Sequence, residues 1–483
     1  MAAHASHWIE GEWLAAVDGH GTRGECVDPA TGDVVGTYAE ASAREAEAAI
    51  AAARRAFETS SWAHSPRLRA QVLLDFADRL AARRGEIEAL LTRVNGKLLR
   101  ESAMELNAAI SELRYYAGLA RNIFGRHAEV DHGCYSILAR EAAGVAGIIV
   151  PWNAPITLLI RSLAPAMAAG CTSVIKTAHQ TSLANDLVLQ CLAEVNGLAK
   201  GVVNCLIESG SAASEAMVAS PEVDVLSFTG SAAVGKKIMA AASASLKRLS
   251  LELGGKAPTL IFPDCDPGKA VAAITSAATV MAGQMCTSAA RVLVHQSIAA
   301  EMRRQFAAAL QQVVVGPGDQ PGSQMGPLID RRSRDRVLRL IEAAGDQGKL
   351  LLRGRVPNGK LASGAFLTPT LAEFTDLASP FIQDELFGPF LVFETFADEA
   401  EAIARANATR YGLAASVWTS EQARAQRVSR ALKTGTVWIN SYNKLFAEAE
   451  TGGYRESGYG RLHGVEGLND FLQTKHVYFE TAA

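Results

Sequence analysis

Residues 145–235, VAGIIVPWNAPITLLIRSLAPAMAAGCTSVIKTAHQTSLANDLVLQCLAEVNGLAKGVVNCLIESGSAASEAMVASPEVDVLSFTGSAAVG, carry the pattern that decides the fold. Short apolar runs at 145–150, 173–175, 202–206 and 225–228 have the length and β-branched content of buried strands. Helical stretches separate them at 157–169, 183–195 and 213–219. Strand–helix–strand alternation implies a parallel, doubly wound sheet covered on both faces. Open sheets of this kind bind ligands beyond the carboxyl ends of their strands. The residues just after each run are therefore the first place to look for chemistry.

Upstream, Ser42 with Glu45 forms a capping box, and Ala46, Ile50, Ala53 and Phe57 continue at helical spacing. Ser65-Pro66 opens a second helix whose face is Leu68, Val72, Phe76 and Leu80. A third is expected over 99–124, followed by an extended hairpin over 128–141 that turns near Asp131-His132-Gly133. Downstream, a second alternating series runs from Thr259 to Asn440, with strands near 291–295, 391–393, 414–418 and 437–440. Two α/β domains in series are the economical expectation, with no internal repeat and no low-complexity linker.

The composition narrows the function. Of 483 residues, 49% are hydrophobic and 20% charged, which is ordinary for a globular chain. Lysine and arginine total 47 against 50 acidic residues, so no basic surplus favours nucleic acid. No apolar run reaches membrane-spanning length. The seven cysteines are odd in number and contain no CxxC, which argues against a disulfide framework and for a reducing cytoplasm. Residues 1–13 lack a basic start followed by an apolar run, so no signal peptide is expected there. His4 and His7 are read as part of a mobile terminus. The ten histidines form no HExxH, and no metal site is expected.

Four motifs carry chemistry. GQMCT at 283–287 follows a small-residue helix expected over 270–282. Cys286 is either a small core residue or a nucleophile activated by a positive field or a nearby base. Glu252, in LELGGK at 251–256, precedes two glycines that let the backbone turn tightly. It is either a buried general base or a strand-end carboxylate paired with Lys256. Asn153, in PWNAP at 151–155, is either a donor to a developing oxyanion or a turn asparagine between prolines. FTGSAAVG at 228–235 places glycines and a serine between a strand and a helix, which suits a pyrophosphate although it is not GxGxxG.

In conjunction and order, these pieces resemble the aldehyde dehydrogenase superfamily from end to end. The matches are PWN at 151–153, Lys176, FTGSAAVG at 228–235, LELGGK at 251–256, GQMCT at 283–287, ELFGP at 385–389, and GGY with SGYGR between 452 and 461. WIEGEW at 8–13 and DPATG at 28–32 fit as well. The resemblance implies an α/β fold with a Rossmann-type cofactor domain at 1–122 and 143–254 and an α/β catalytic domain at 255–460. A small β oligomerisation element would come from 123–142 and 461–483, including a strand at 475–480. It implies NAD or NADP as cofactor, a small-molecule aldehyde as substrate, and a cytoplasmic homodimer or homotetramer with no nucleic-acid or membrane partner.

Residue by residue, the resemblance implies that Cys286 attacks the aldehyde carbon, giving a thiohemiacetal and then a thioester. Asn153 and the Cys286 backbone N–H would hold the oxyanion, and Glu252 would activate the hydrolytic water. The cofactor would be held by Val150, Pro151, Trp152, Lys176, His179, Gly210, Gly230, Ser231, Leu253, Glu385 and Phe387. The CoA-acylating branch of the superfamily typically lacks the glutamate of LELGGK, so Glu252 points to hydrolysis. A non-catalytic protein on the same fold would lose the nucleophile or its helpers, and these are retained.

The sequence departs from the family pattern in three places. His179 stands where many NAD-preferring members have a glutamate for the ribose 2′-OH, which leaves NAD-only specificity open. Leu462 replaces the glutamate that often follows the arginine of SGxGR, so proton traffic rests more on Glu252. Arg161 occupies a tunnel-facing helix position that is aromatic in many members handling apolar aldehydes. Its guanidinium is either a clamp for a distal carboxylate, as on an ω-carboxylated semialdehyde, or the partner of an acid at a subunit interface. Val280 and Leu445 would make other walls of the tunnel small and apolar, so an ω-carboxylated semialdehyde is the expected substrate, with a broad range of aliphatic or aromatic aldehydes as the alternative.

Overall fold

The computed structural model describes residues 3–16 and 21–481; Met1 and Ala2, which begin the segment read as lacking a leader, lie outside the described residues. Its first large sheet is built around five parallel strands in the order Arg248–Glu252, Val225–Thr229, Val145–Ile149, Thr172–Ala178, Val203–Glu208. From Val145–Ile149 the chain steps outward on one side, then returns to the other side for the last two strands. The reversal opens a crevice between the carboxyl ends of Val145–Ile149 and Val225–Thr229, the place where a doubly wound sheet binds its ligand. The short strand Gly458–Tyr459 closes one edge by antiparallel pairing to Leu251 and Glu252, and so joins this sheet although it lies far along the chain.

The opposite edge corrects an expectation. His7–Ile9 pairs with Val203–Glu208 and with Glu12–Leu14, and His7 is fully buried. Trp8 and Ile9 bury their side chains there, and this apolar anchorage ties the segment down where a mobile terminus was anticipated.

The second sheet runs Lys349–Leu352, Thr370–Glu373, Phe390–Phe396, Arg291–His295, Pro258–Ile261, Ala414–Trp418, Thr436–Ile439, parallel except for its first strand. A third, small sheet joins the hairpin Arg126–Asp131 and Cys134–Ala142 to the C-terminal strand Leu472–Glu480, in register from Leu472 opposite Ala142 to Glu480 opposite Cys134.

Helix caps follow the sequence closely. Ala43–Thr59 begins with the Ser42/Glu45 capping box, and Pro66–Ala82 begins on Pro66. An additional helix, Arg84–Asn95, ends on the left-handed Gly96. The helix expected over 99–124 stops at Ala120. The small-residue helix spans Pro267–Thr279, capped by Asp266, rather than running to 282. Beyond it, Val280–Gly283 is a tight turn in which Met281 and Ala282 adopt positive φ of 49° and 54°. This strained kink re-aims the chain so that Cys286 faces the crevice instead of continuing along the helix axis. Among the described residues, no helix is long and apolar enough to cross a membrane, and no cluster of side chains could hold a metal.

Candidate active site

Three backbone ends meet at the crevice. After Val145–Ile149 come Val150, Pro151, Trp152 and Asn153, with the Val150 N–H donating to the Lys176 carbonyl at 3.1 Å. After Val225–Thr229 come Gly230 and Ser231, and the Gly230 N–H donates to the Glu252 carbonyl at 3.0 Å. After Arg248–Glu252 comes Leu253, whose N–H donates to the Ser457 carbonyl at 2.9 Å. The loop from Gln284 to Ala290, which leads into the second sheet, supplies the fourth side.

Asn153 ties the loop after Val145–Ile149 to the loop before Cys286. It is buried, and its Nδ2 donates to the Gln284 carbonyl at 3.0 Å, two residues before Cys286. An amide has two N–H groups, so a second donor remains for an oxygen at the cysteine. The Asn153 loop is braced by residues that no sequence motif singled out. Lys97 Nζ donates to the Asn153 carbonyl at 2.8 Å and is ion-paired to Glu105 in a fully buried pair. Glu105 Oε1 in turn accepts from the Ile156 and Thr157 N–H groups at 2.7 and 3.2 Å, at the start of helix Pro155–Ala169. Glu101, one turn away on the same helix, accepts from the N–H of strained Met281 at 2.9 Å. Helix Leu99–Ala120 thus steadies both the asparagine loop and the kink before Cys286. The i, i+4 spacing of Glu101 and Glu105 was the available signal.

Cys286 is half-buried and free. Burial pushes its thiol up to about 12, partly offset by the Arg161 guanidinium, so the resting group is a thiol that needs a base. Glu252 is 4% exposed, and burial holds its carboxyl above the ordinary range, again opposed first by Arg161. The pairing of Glu252 with Lys256 is not found. Lys256 is buried with its Nζ unpartnered, and burial lowers its ammonium to about 7. The cation nearest Glu252 is Arg161, whose Nη1 lies 3.9 Å from Oε2 while its Nη2 donates to Thr229 Oγ1 at 3.1 Å.

Of the remaining candidates, Glu385 and Phe387 share a pocket with Cys286. Glu385 accepts from the Gly255 N–H at 3.2 Å, and burial raises its carboxyl to about 7. A Cβ on Gly254 would sit 2.2 Å from that carboxylate, so only glycine fits the turn. Phe387, at φ 50°, meets Trp152 edge-on with ring centres 5.7 Å apart. Ser231 caps helix Ala232–Ala242, and a Cβ on Gly210 would meet open space. Lys176 and His179 bound the outer end. His179 packs against Tyr38 at 5.6 Å, half-buried rather than turned to solvent. Glu40 lies within electrostatic reach of both Lys176 and His179, and sequence reasoning missed it. Val280 is half-buried in the kink before Cys286, and Leu445 stands exposed on the loop after Thr436–Ile439. Leu462 is fully buried, and His463 beside it pairs with Glu112 at 2.9 Å.

A serine-capped helix N-terminus, a carboxylate on a glycine turn and an aromatic pair beside a thiol are groups that suit a dinucleotide. The comparisons agree. The model of the "Aldehyde dehydrogenase family" matches residues 16–477. The chain belongs to the aldehyde dehydrogenase family. It is 36% identical to a betaine aldehyde dehydrogenase of Bacillus subtilis, over 98% of this chain and 97% of that one. It is 35% identical to a phenylacetaldehyde dehydrogenase of Pseudomonas fluorescens, over 97% and 94%. The crystal structure of a Staphylococcus aureus betaine aldehyde dehydrogenase in complex with NAD+ superposes with a TM-score of 0.96 at 34% identity, covering 99% of this chain and 95% of that one. This aldehyde dehydrogenase therefore has the α/β fold of its family and oxidises an aldehyde to a carboxylic acid with NAD(P), through covalent intermediates on Cys286.

Proposed function

We propose that Asn153, Glu252 and Cys286 divide the chemistry as follows. Cys286 adds to the aldehyde carbon, and the new oxyanion lies between the Cys286 N–H and the free hydrogen of the Asn153 amide. Glu252 takes a proton from the water that hydrolyses the thioester. The hydrogen bond from Asn153 to Gln284 is the observation that carries this, because it sets the amide against the cysteine loop. NAD(P) supplies a hydride acceptor when bound. Val150, Pro151, Trp152 and Leu253 would line its channel, Lys176 and His179 would face the adenosine ribose, Gly210, Gly230 and Ser231 the pyrophosphate, and Glu385 and Phe387 the nicotinamide end. An Asn153→Ala variant is expected to lose about 100- to 1000-fold in kcat, with thermal stability and coenzyme affinity kept. Wild-type kcat in that variant would remove the oxyanion role.

We infer further that the substrate is an uncharged aliphatic or aromatic aldehyde. The Arg161 guanidinium is already turned onto Glu252 and Thr229, and Val280 and Leu445 are apolar. A second reading, an ω-carboxylated semialdehyde, is favoured by the buried Nε of Arg161, which has no partner and is free to meet an anion. A panel of hexanal, benzaldehyde, succinic semialdehyde and betaine aldehyde separates them by kcat/KM. For the semialdehyde reading, Arg161→Ala must weaken the apparent affinity for succinic semialdehyde. Both readings disfavour a quaternary ammonium beside a buried cation.

NAD is the preferred coenzyme on this reading. Burial lowers the His179 pKa, leaving the ring neutral near pH 7, and Glu40 offsets the Lys176 charge that a 2′-phosphate would seek. The exposed faces of Arg126–Asp131 and Leu472–Glu480 support assembly into a homodimer or homotetramer, through the small sheet. Seven free cysteines support a cytoplasmic location.

A further inference from the structure

We infer that Arg161 is the counter-ion that positions Glu252 for thioester hydrolysis, whatever the far end of the aldehyde carries. The inference rests on the assignment of Glu252 as the base. Its ground is the register of the sheet: Thr229 and Glu252 are direct neighbours on parallel strands, both at the crevice edge. Helix Pro155–Ala169 packs on the neighbouring strands Val145–Ile149 and Thr172–Ala178, and Arg161 on it reaches both residues at once. The bond from Nη2 to Thr229 fixes the guanidinium plane, and Nη1 then stands 3.9 Å from Glu252 Oε2.

The length of that contact matters. A carboxylate in a direct bidentate bond with arginine is tied on both oxygens and makes a poor base. Glu252 keeps Oε1 buried and without a partner, so one oxygen remains open for a water while the charge is still supported. A buried carboxylate with no cation beside it would hold its proton near neutral pH.

Other charges also face Glu252, but they are differently committed. His463 is bonded to Glu112, the Arg461 guanidinium donates to the Gly460 carbonyl, Asp470 is itself acidic, and Cys286 lies across the cleft. Leu462 offers no acidic relay. Arg161 is left as the dominant positive influence, and it is a positioning residue rather than a catalytic one.

The test uses the full-length enzyme with hexanal, an uncharged substrate, and NAD. Arg161→Met is expected to move the acid limb of the kcat profile upward by about one to three pH units, since an opposite charge at this range shifts a carboxyl by that much. NADH should then form in a rapid burst of about one equivalent per site, followed by a steady rate at least roughly tenfold slower near pH 7. The kcat/KM for hexanal should stay near wild type, with KM falling alongside kcat, because slower thioester hydrolysis lowers both together. Arg161→Lys should recover most of the steady rate. Arg161→Gln, which keeps a donor for Thr229 without the charge, repeats the test if the Met variant does not fold. Alkylation of Cys286 in the coenzyme-free enzyme should also shift to higher pH, because Arg161 faces the thiol too.

An unmoved acid limb with no burst in a folded Arg161→Met enzyme would overturn the inference. So would a defect confined to KM for succinic semialdehyde. If Glu252→Gln itself hydrolyses the thioester at the wild-type rate, the base assignment falls and takes the inference with it. A slow Glu252→Gln enzyme beside a normal Arg161→Met enzyme sinks the inference alone.

Discussion

Two buried arginine–glutamate pairs lie in the two large sheets and differ in how completely they are satisfied. In the second sheet Arg291 and Glu394 are both 0% exposed. Both Glu394 oxygens accept from Arg291, at 2.6 and 3.0 Å, and only Arg291 Nη1 lacks a partner. In the first sheet Arg161 stands 3.9 Å from Glu252, and an oxygen of the acid and the Nε of the base are buried with no partner. A carboxylate with both oxygens bonded is held as structure. One with a free oxygen is poised to accept a proton, and the folded protein bears the desolvation of that unpaired atom. The incompletely satisfied pair marks the place where chemistry happens.

The largest effect should come from Glu252→Gln. It keeps the volume and removes the base, so kcat is expected to fall by up to about 10⁴-fold. Folding stability should stay within about 1 kcal/mol, since no hydrogen bond to either oxygen is lost. A large drop in the denaturation midpoint would show that Glu252 is a structural partner after all. The wild-type pH profile carries the same sign: burial raises the Glu252 carboxyl, hydrolysis needs it ionised, and kcat should therefore fall as pH drops through a value above the ordinary carboxylate range.

Glu394→Gln should do the reverse. Breaking one side of a saturated buried pair costs about 3–5 kcal/mol of stability, read as a lower urea midpoint. The kcat per folded subunit should stay near wild type. A variant as stable as the parent would mean that saturation of the carboxylate is not what distinguishes the pairs.

The sequence singled out Glu252 but not its pairing with Arg161, and it singled out neither Arg291 nor Glu394. Glu252 and Cys286 stood out through the order of motifs shared with the family; LELGGK and GQMCT taken singly left a structural reading of each open. The alternation of 145–235 also announced the parallel sheet and the edge at which ligands bind. The partner of Glu252 was not legible. Lys256 is four residues away along the chain, yet the strand runs out between them and turns its Nζ elsewhere. Arg161 is remote in sequence and reaches Glu252 from a helix packed on neighbouring strands of the same sheet. The kink at Met281 and Ala282 was hidden for a related reason. Its residues follow a helix, and a tertiary hydrogen bond donated by the Met281 N–H to Glu101 stands at the turn instead.

Glu105→Gln should fall between the two extremes. The Lys97–Glu105 pair resembles Arg291–Glu394 in burial, yet it holds the Asn153 carbonyl and the start of helix Pro155–Ala169. Loss of its charge leaves Lys97 buried and unpaired, and the asparagine loop should drift from its place. A displacement of about 1 Å in a positioned group can cost about 100-fold, so a fall in kcat of roughly 10- to 100-fold is expected, with KM for the aldehyde little changed. Loss of stability without loss of kcat would place this pair wholly with Arg291–Glu394.

The smallest effect concerns a cation whose acids stay at a distance. Burial lowers the Lys176 ammonium, while Glu208 and Glu40 oppose that shift without the close contact seen at Glu394. His179, neutral above its lowered pKa, adds no charge for a 2′-phosphate. NAD should therefore be used in preference to NADP. His179→Arg would supply a fixed cation and a planar donor set at that end of the crevice, and a charge-assisted bond to phosphate is worth about 1.5–3 kcal/mol. An increase of about tenfold or more in kcat/KM for NADP, with that for NAD nearly unchanged, is the expected outcome. If NADP use is already equal in the parent enzyme, then Glu40 does not offset Lys176, and distant acids cannot be counted in the same way as the close pair at Glu394.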